Sequence, residues 1–90
     1  MVSIHASLLA CAGGECDWSA WDRQLERTRA LLAETGWVDA DIPRMARLAG
    51  DLARRATATA RAHDAYRIAV EQWRALGREA DAAEVCKLIS

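Results

Sequence analysis

Arg44, Arg47, Asp51, Arg54 and Arg55 are the charged residues of this chain whose types and spacing best suit a binding site. On a helix turning about 100° per residue, the five fall within roughly 100° of one another. Four guanidiniums and one carboxylate on one helix face suit an anionic partner. An acidic peptide, a C-terminal carboxylate or a phosphorylated segment would each qualify, because Arg grips such groups with two parallel N–H donors. The competing reading is a solvated face in which Asp51 pairs with Arg47, Arg54 or Arg55 at helical spacing.

The thiols and imidazoles offer less. His5, Cys11, Cys16 and Cys86 could supply four metal ligands in principle. Structural zinc sites use tighter, paired spacings, and no second pair exists here, so no metal or other cofactor is expected. Cys86 reads as a small core residue, and Cys11 and Cys16 as thiols near a loop. Three cysteines is an odd count, which disfavours a disulfide framework. His5 and His63 are the two possible imidazole bases. His63 stands beside Asp64, and adjacent helical residues do not face each other. The glycines are scattered and form no phosphate-cradling loop. An enzyme is not expected.

Ninety residues make one small domain with a marginal core. The apolar share of 52% argues against disorder. Twenty residues are Ala, the best helix former, and Ala permits close helix approach. No alternating run of β-branched residues signals a strand, so the fold is expected to be all-α. The formal net charge of −1 gives no overall pull toward nucleic acid or membrane, although Met1 to Asp41 carries −4 and Ile42 to Ser90 carries +3. Arg outnumbers Lys eleven to one, as a GC-rich bacterial genome would produce. No apolar run approaches the roughly 20 residues needed to span a bilayer. The N-terminus lacks a basic region and a long apolar stretch. A reduced, cytoplasmic protein is the expectation.

Four to five helices can be placed. A short one covers about Ile4 to Ala12, with Ile4, Leu8 and Cys11 on one face and Gly13-Gly14 ending it; residues 1–16 are otherwise a lead-in. The second runs from Trp18 to Thr35 behind an Asp17 cap, buries Trp18, Trp21, Leu25, Thr28 and Leu32, and stops at Gly36. The third starts near Asp41-Ile42-Pro43 and turns Met45, Leu48, Ala49, Leu52 and Ala56 to one side. The fourth buries Ala62, Tyr66, Ala69, Val70, Trp73 and Leu76 and ends at Gly77. The fifth spans Glu79 to Ile89 with Ala82, Val85, Cys86 and Ile89 inward. A break is expected within Ala56-Thr57-Ala58-Thr59-Ala60, with Thr as cap. The rival is one long helix from Ile42 to Leu76. Trp21, Leu25 and Thr28 repeat the spacing of Ala62, Tyr66 and Ala69 at an offset of 41 residues.

Met45 to Gly77 resembles one tetratricopeptide-type helix hairpin. Gly50, Ala62, Tyr66 and Ala69 stand at the spacings of that pattern's glycine, first alanine, second aromatic and second alanine. Ala46, Ala49, Ala53 and Arg74 replace its Trp, Leu, first aromatic and Pro. WRALGREADAAEVCKLI resembles a second helix leading into the first helix of a following repeat. The general texture of residues 17–83 is similar to C-terminal repeat regions of large bacterial signalling proteins. The resemblance implies antiparallel helix hairpins and a non-enzymatic interaction or scaffold module, with homo-association through the array's end faces as a further expectation. Numbered from Pro43, the residues Arg44, Arg47, Asp51, Arg54 and Arg55 take the positions that line the groove in that family. The alternative class is a DNA-binding regulator, since IPRMARLAG is similar to the start of a helix-turn-helix. That motif needs a turn after Gly50, where Asp51 to Arg55 should stay helical.

Overall fold

Small side chains decide how the helices meet. In the computed structural model, which describes residues 8, 9, 11, 12, 14–36 and 38–89, four helices follow one another. They are α1 (Trp18–Thr35), α2 (Asp41–Arg55), α3 (Thr59–Ala75) and α4 (Glu79–Ile89). Residues 8, 9, 11, 12, 14 and 15 are also helical. Among the described residues there is no strand. The fold is all-α, and its Cα extents of 32 × 28 × 16 Å leave room for two helix layers.

α1 is bounded by its sequence signals. The Asp17 carboxylate accepts from the Ala20 N–H at 3.2 Å, satisfying one of the free donors of the first turn. Gly36 takes a left-handed conformation (φ 62°), and its N–H donates to the Leu32 carbonyl at 2.9 Å. Trp21, Leu25 and Thr28 are buried. Thr28 satisfies its hydroxyl within the helix by donating to the Gln24 carbonyl at 2.7 Å. Trp18 stays half-buried, edge-on to Trp21 at 5.6 Å between ring centroids. Leu32 is half-buried as well.

α2 is turned differently from the expectation. Its buried residues are Ile42, Pro43, Ala46, Ala49, Gly50 and Ala53, whereas Leu48 is 45% exposed and Met45 and Leu52 are half-buried. The cause is Tyr66 on α3, which is fully buried. A Cβ on Gly50 would lie 2.5 Å from its ring. A face of Ala and Gly lets the ring come close to the α2 backbone at Gly50, and a Leu face would hold the helices apart. The start of α2 at Asp41 is as expected, but Asp41 is not the cap. Its cap residue is Ala40, and the Asp39 carboxylate accepts from the Asp41 N–H at 2.8 Å.

The single long helix is overturned. α2 stops at Arg55, and Thr57 sits in the left-handed region (φ 63°). The Thr57 N–H donates to the Arg54 carbonyl at 3.0 Å, and the Ala58 N–H to the Ala53 carbonyl at 2.9 Å. These paired bonds satisfy the last carbonyls of α2. The cap residue of α3 is Ala58, without a side-chain bond, so neither threonine caps that helix. α3 ends in the same manner. Gly77 (φ 75°) donates to the Arg74 carbonyl at 3.0 Å, and Arg78 to the Trp73 carbonyl at 2.8 Å. The buried face of α3 is as expected through Trp73, while Leu76 lies past the helix end and is 37% exposed. Of the inward set of α4, Ala82 and Val85 are buried, and Cys86 and Ile89 are half-buried.

The N-terminal segment corrects two expectations and leaves a third untouched. Gly14 and Glu15 are helical, and the turn comes at Cys16 (φ 56°). Leu9 and Ala12 face the core, while Leu8 and Cys11 are exposed. Ile4 lies outside the described residues. Left-handed residues thus close successive helices at 16, 36, 57 and 77, with Cys16 and Thr57, and Gly36 and Gly77, each 41 residues apart. The offset seen in the buried side chains recurs in the backbone.

Candidate functional site

Rotation of α2 onto its small-residue face leaves the charged residues on its far side. Arg44, Arg54 and Arg55 are exposed, and Arg47 and Asp51 are half-buried. Arg44 pairs with Asp41 one turn back at 3.9 Å. Arg47 reaches across to Glu84 on α4 at 3.7 Å. These two contacts lie at the N-terminal and central parts of the face, and both are solvated pairs of small energetic weight.

Asp51 does not pair within its own helix. It accepts a hydrogen bond from the Tyr66 hydroxyl at 2.5 Å. That bond gives the buried ring a partner for its polar end. Burial and the hydrogen bond to Asp51 push the Tyr66 phenol up to about 12, while Arg54 pulls it the other way. Asp51 is therefore fixed to the core and is a positioning element of the face rather than a free contact. Arg54 lies at the same hydroxyl. Among the described residues, neither Arg54 nor Arg55 enters an ion pair. The open cationic end of the face is its C-terminal turn.

A second region had no signature in the sequence. A cleft of about 480 Å³ lies between the C-terminal half of α1 and α3. Leu32, Val38 and Ile68 are among its apolar lining, with Arg29, Arg67 and Glu71 at its edge. Asp64 holds both arginines, Arg29 at 3.4 Å and Arg67 at 3.5 Å. The described lining includes no hydroxyl, thiol or imidazole, and Glu71 supplies its carboxylate. Sequence reasoning missed it because its residues come from two helices and follow no local spacing.

Among the described residues the candidate metal ligands do not come together. Cys11 and Cys16 are exposed free thiols, and Cys86 is half-buried beside the Arg74 guanidinium at 3.8 Å. His5 lies outside the described residues. Among the described residues no three His, Cys, Asp or Glu side chains converge on a point that could hold a metal ion. No described helix is long and apolar enough to cross a membrane. α2 also runs unbroken through Gly50 to Arg55, without the turn that a helix-turn-helix requires there. The chain matches no protein-family model, no curated protein and no solved structure.

Proposed function

We propose that this protein is a tetratricopeptide-like array of helix hairpins that binds another protein without catalysis, through the Arg-bearing face of α2. The occupant is an acidic or phosphorylated segment. The observation that carries the reading is the division of α2 into two faces. Ala46, Ala49, Gly50 and Ala53 are consumed in packing, and Arg54 and Arg55 stand exposed and outside any ion pair among the described residues. Guanidiniums in that state suit carboxylate or phosphate oxygens. Further support for the hairpin reading comes from the Gly50–Tyr66 contact and from the 41-residue recurrence of left-handed turns. Repeat arrays characteristically present such faces to partners.

Fluorescence anisotropy of a labelled Glu-rich phosphopeptide tests the reading. Binding should weaken with salt, and Arg54→Ala with Arg55→Ala should lower affinity by about tenfold or more, near 1.4 kcal/mol. Wild-type affinity in that double variant, with helicity intact by circular dichroism, would overturn it. A shift of random duplex DNA near physiological salt would point instead to the DNA-binding class.

A further inference from the structure

Thr57 occupies a position that glycine would fill without strain. It closes α2 at φ 63°, with the same pair of backbone hydrogen bonds that Gly77 makes at the end of α3. For a β-branched residue this conformation is a strained outlier. The residue nevertheless contributes nothing to the core. It is exposed, and its hydroxyl donates only to the carbonyl of the preceding Ala56, at 2.6 Å. Its local sequence is Arg54-Arg55-Ala56-Thr57. Of the serines and threonines in the chain, Thr57 alone has arginine at both the second and third positions before it. Two guanidiniums at that spacing match the charge pattern that arginine-directed protein kinases read.

We infer that Thr57 is a phosphorylation site for an arginine-directed serine/threonine kinase, and that its phosphate is held in cis by Arg54 and Arg55. The transfer breaks the bond between the γ-phosphorus of a nucleoside triphosphate and its bridging oxygen, and forms a bond from that phosphorus to Thr57 Oγ1. The hydroxyl proton passes to the kinase's carboxylate base, and the nucleoside diphosphate leaves. The added dianion meets a suitable setting on two sides. Arg54 and Arg55 form the last turn of α2. On the other side α3 begins without a side-chain cap and without an acidic residue in its first turn, which favours negative charge there. Kinase access needs only fraying of the last turn of α2, the least constrained part of a helix. The consequence for binding rests on the function proposed above: a phosphate that engages Arg54 and Arg55 removes the open end of the cationic face.

The test uses the full chain, an arginine-directed serine/threonine kinase and magnesium ATP. One phosphoryl group per chain is expected by intact mass, mapping to Thr57 by peptide sequencing. Thr57→Val should abolish incorporation, and Arg54→Ala with Arg55→Ala should slow it by about tenfold or more. The phosphorylated chain should also lose affinity for the acidic peptide by about tenfold. Transfer to Thr59 or another residue would overturn the inference. So would transfer to a free peptide of residues 50–63 but not to the folded chain. Unchanged peptide affinity after stoichiometric phosphorylation of Thr57 would remove the cis pairing. If the unmodified chain binds no acidic peptide, the proposed function fails, and the phosphate-transfer readouts still decide the modification site.

Discussion

The two turns that flank α3 make the same bonds with different residues. Before α3 the chain turns on Thr57, and after it on Gly77. In each case the left-handed residue donates to the carbonyl three positions back and its successor donates five positions back. Glycine adopts this conformation at no steric cost, and threonine does not. The junctions on their far sides differ too. α2 meets α3 through Gly50 under the Tyr66 ring, a contact with no spare volume. α4 meets the core through Ala82 and Val85 and leaves Cys86, Leu88 and Ile89 only partly covered. Close packing at the first junction thus tolerates a strained turn, while the looser second junction has an unstrained one.

Removing the ring should damage the tighter junction most. Tyr66→Ala should destabilise the protein by about 3–5 kcal/mol in urea unfolding, enough to unfold much of a domain this small. Gly50→Ala, which adds one methyl where the ring already sits, should cost about 1–3 kcal/mol. A neutral result there would mean that the α2–α3 contact is looser than the α3–α4 one, reversing the comparison.

Alkali should act on the same junction. The Tyr66 phenol is raised from 10.0 to about 12. Between those values the folded state keeps a proton that the unfolded state releases, so stability falls as pH rises through this window. The loss is on the order of 2 kcal/mol by pH 12. Melting curves of wild type and Tyr66→Phe, taken from pH 8 to 12, should diverge above pH 10, with the phenylalanine variant flatter. The smallest effects belong to the turns. Thr57→Gly should stabilise by about 1 kcal/mol, and Gly77→Thr should destabilise by a similar amount. No gain in Thr57→Gly, beside a loss in Gly77→Thr, would show that Thr57 carries no strain.

Much of the fold could be read from residues with strong local chemistry. Asp17 and Gly36 bound α1 because a cap oxygen and a left-handed glycine act locally. Tyr66 and Trp73 are buried because large apolar groups on α3 outweigh every alternative face. Two features were not legible. α2 has Leu48 and Leu52 on one side and Ala46, Gly50 and Ala53 on another, with Ala49 between them buried as expected, and bulk favours the leucines when the helix is considered alone. The ring that demands the alanine face lies on a different helix. The break at residues 56–58 falls where it was expected, but with no glycine or proline there, nothing local marked Thr57 as its left-handed residue. At the candidate site, helical spacing put the arginines on one side of a segment that is helical from Asp41 to Arg55. The competing solvated-face reading gave Asp51 a partner on its own helix, because nothing local reveals that the Tyr66 hydroxyl arrives from α3.

The recurrence of left-handed glycines at 36 and 77 gives the molecule a unit of length. Each glycine releases its helix with a similar bend, φ 62° and 75°, so the 41-residue stretch between them starts and finishes on matching backbone geometry. Matching ends are the condition for tandem duplication. An extra unit spliced after Gly77 would bring its own counterpart of the α2–α3 hairpin. Stability would then grow by one intrinsic term and one neighbour term for each unit added. Such a chain could grow or shrink by whole hairpins without redesigning its core.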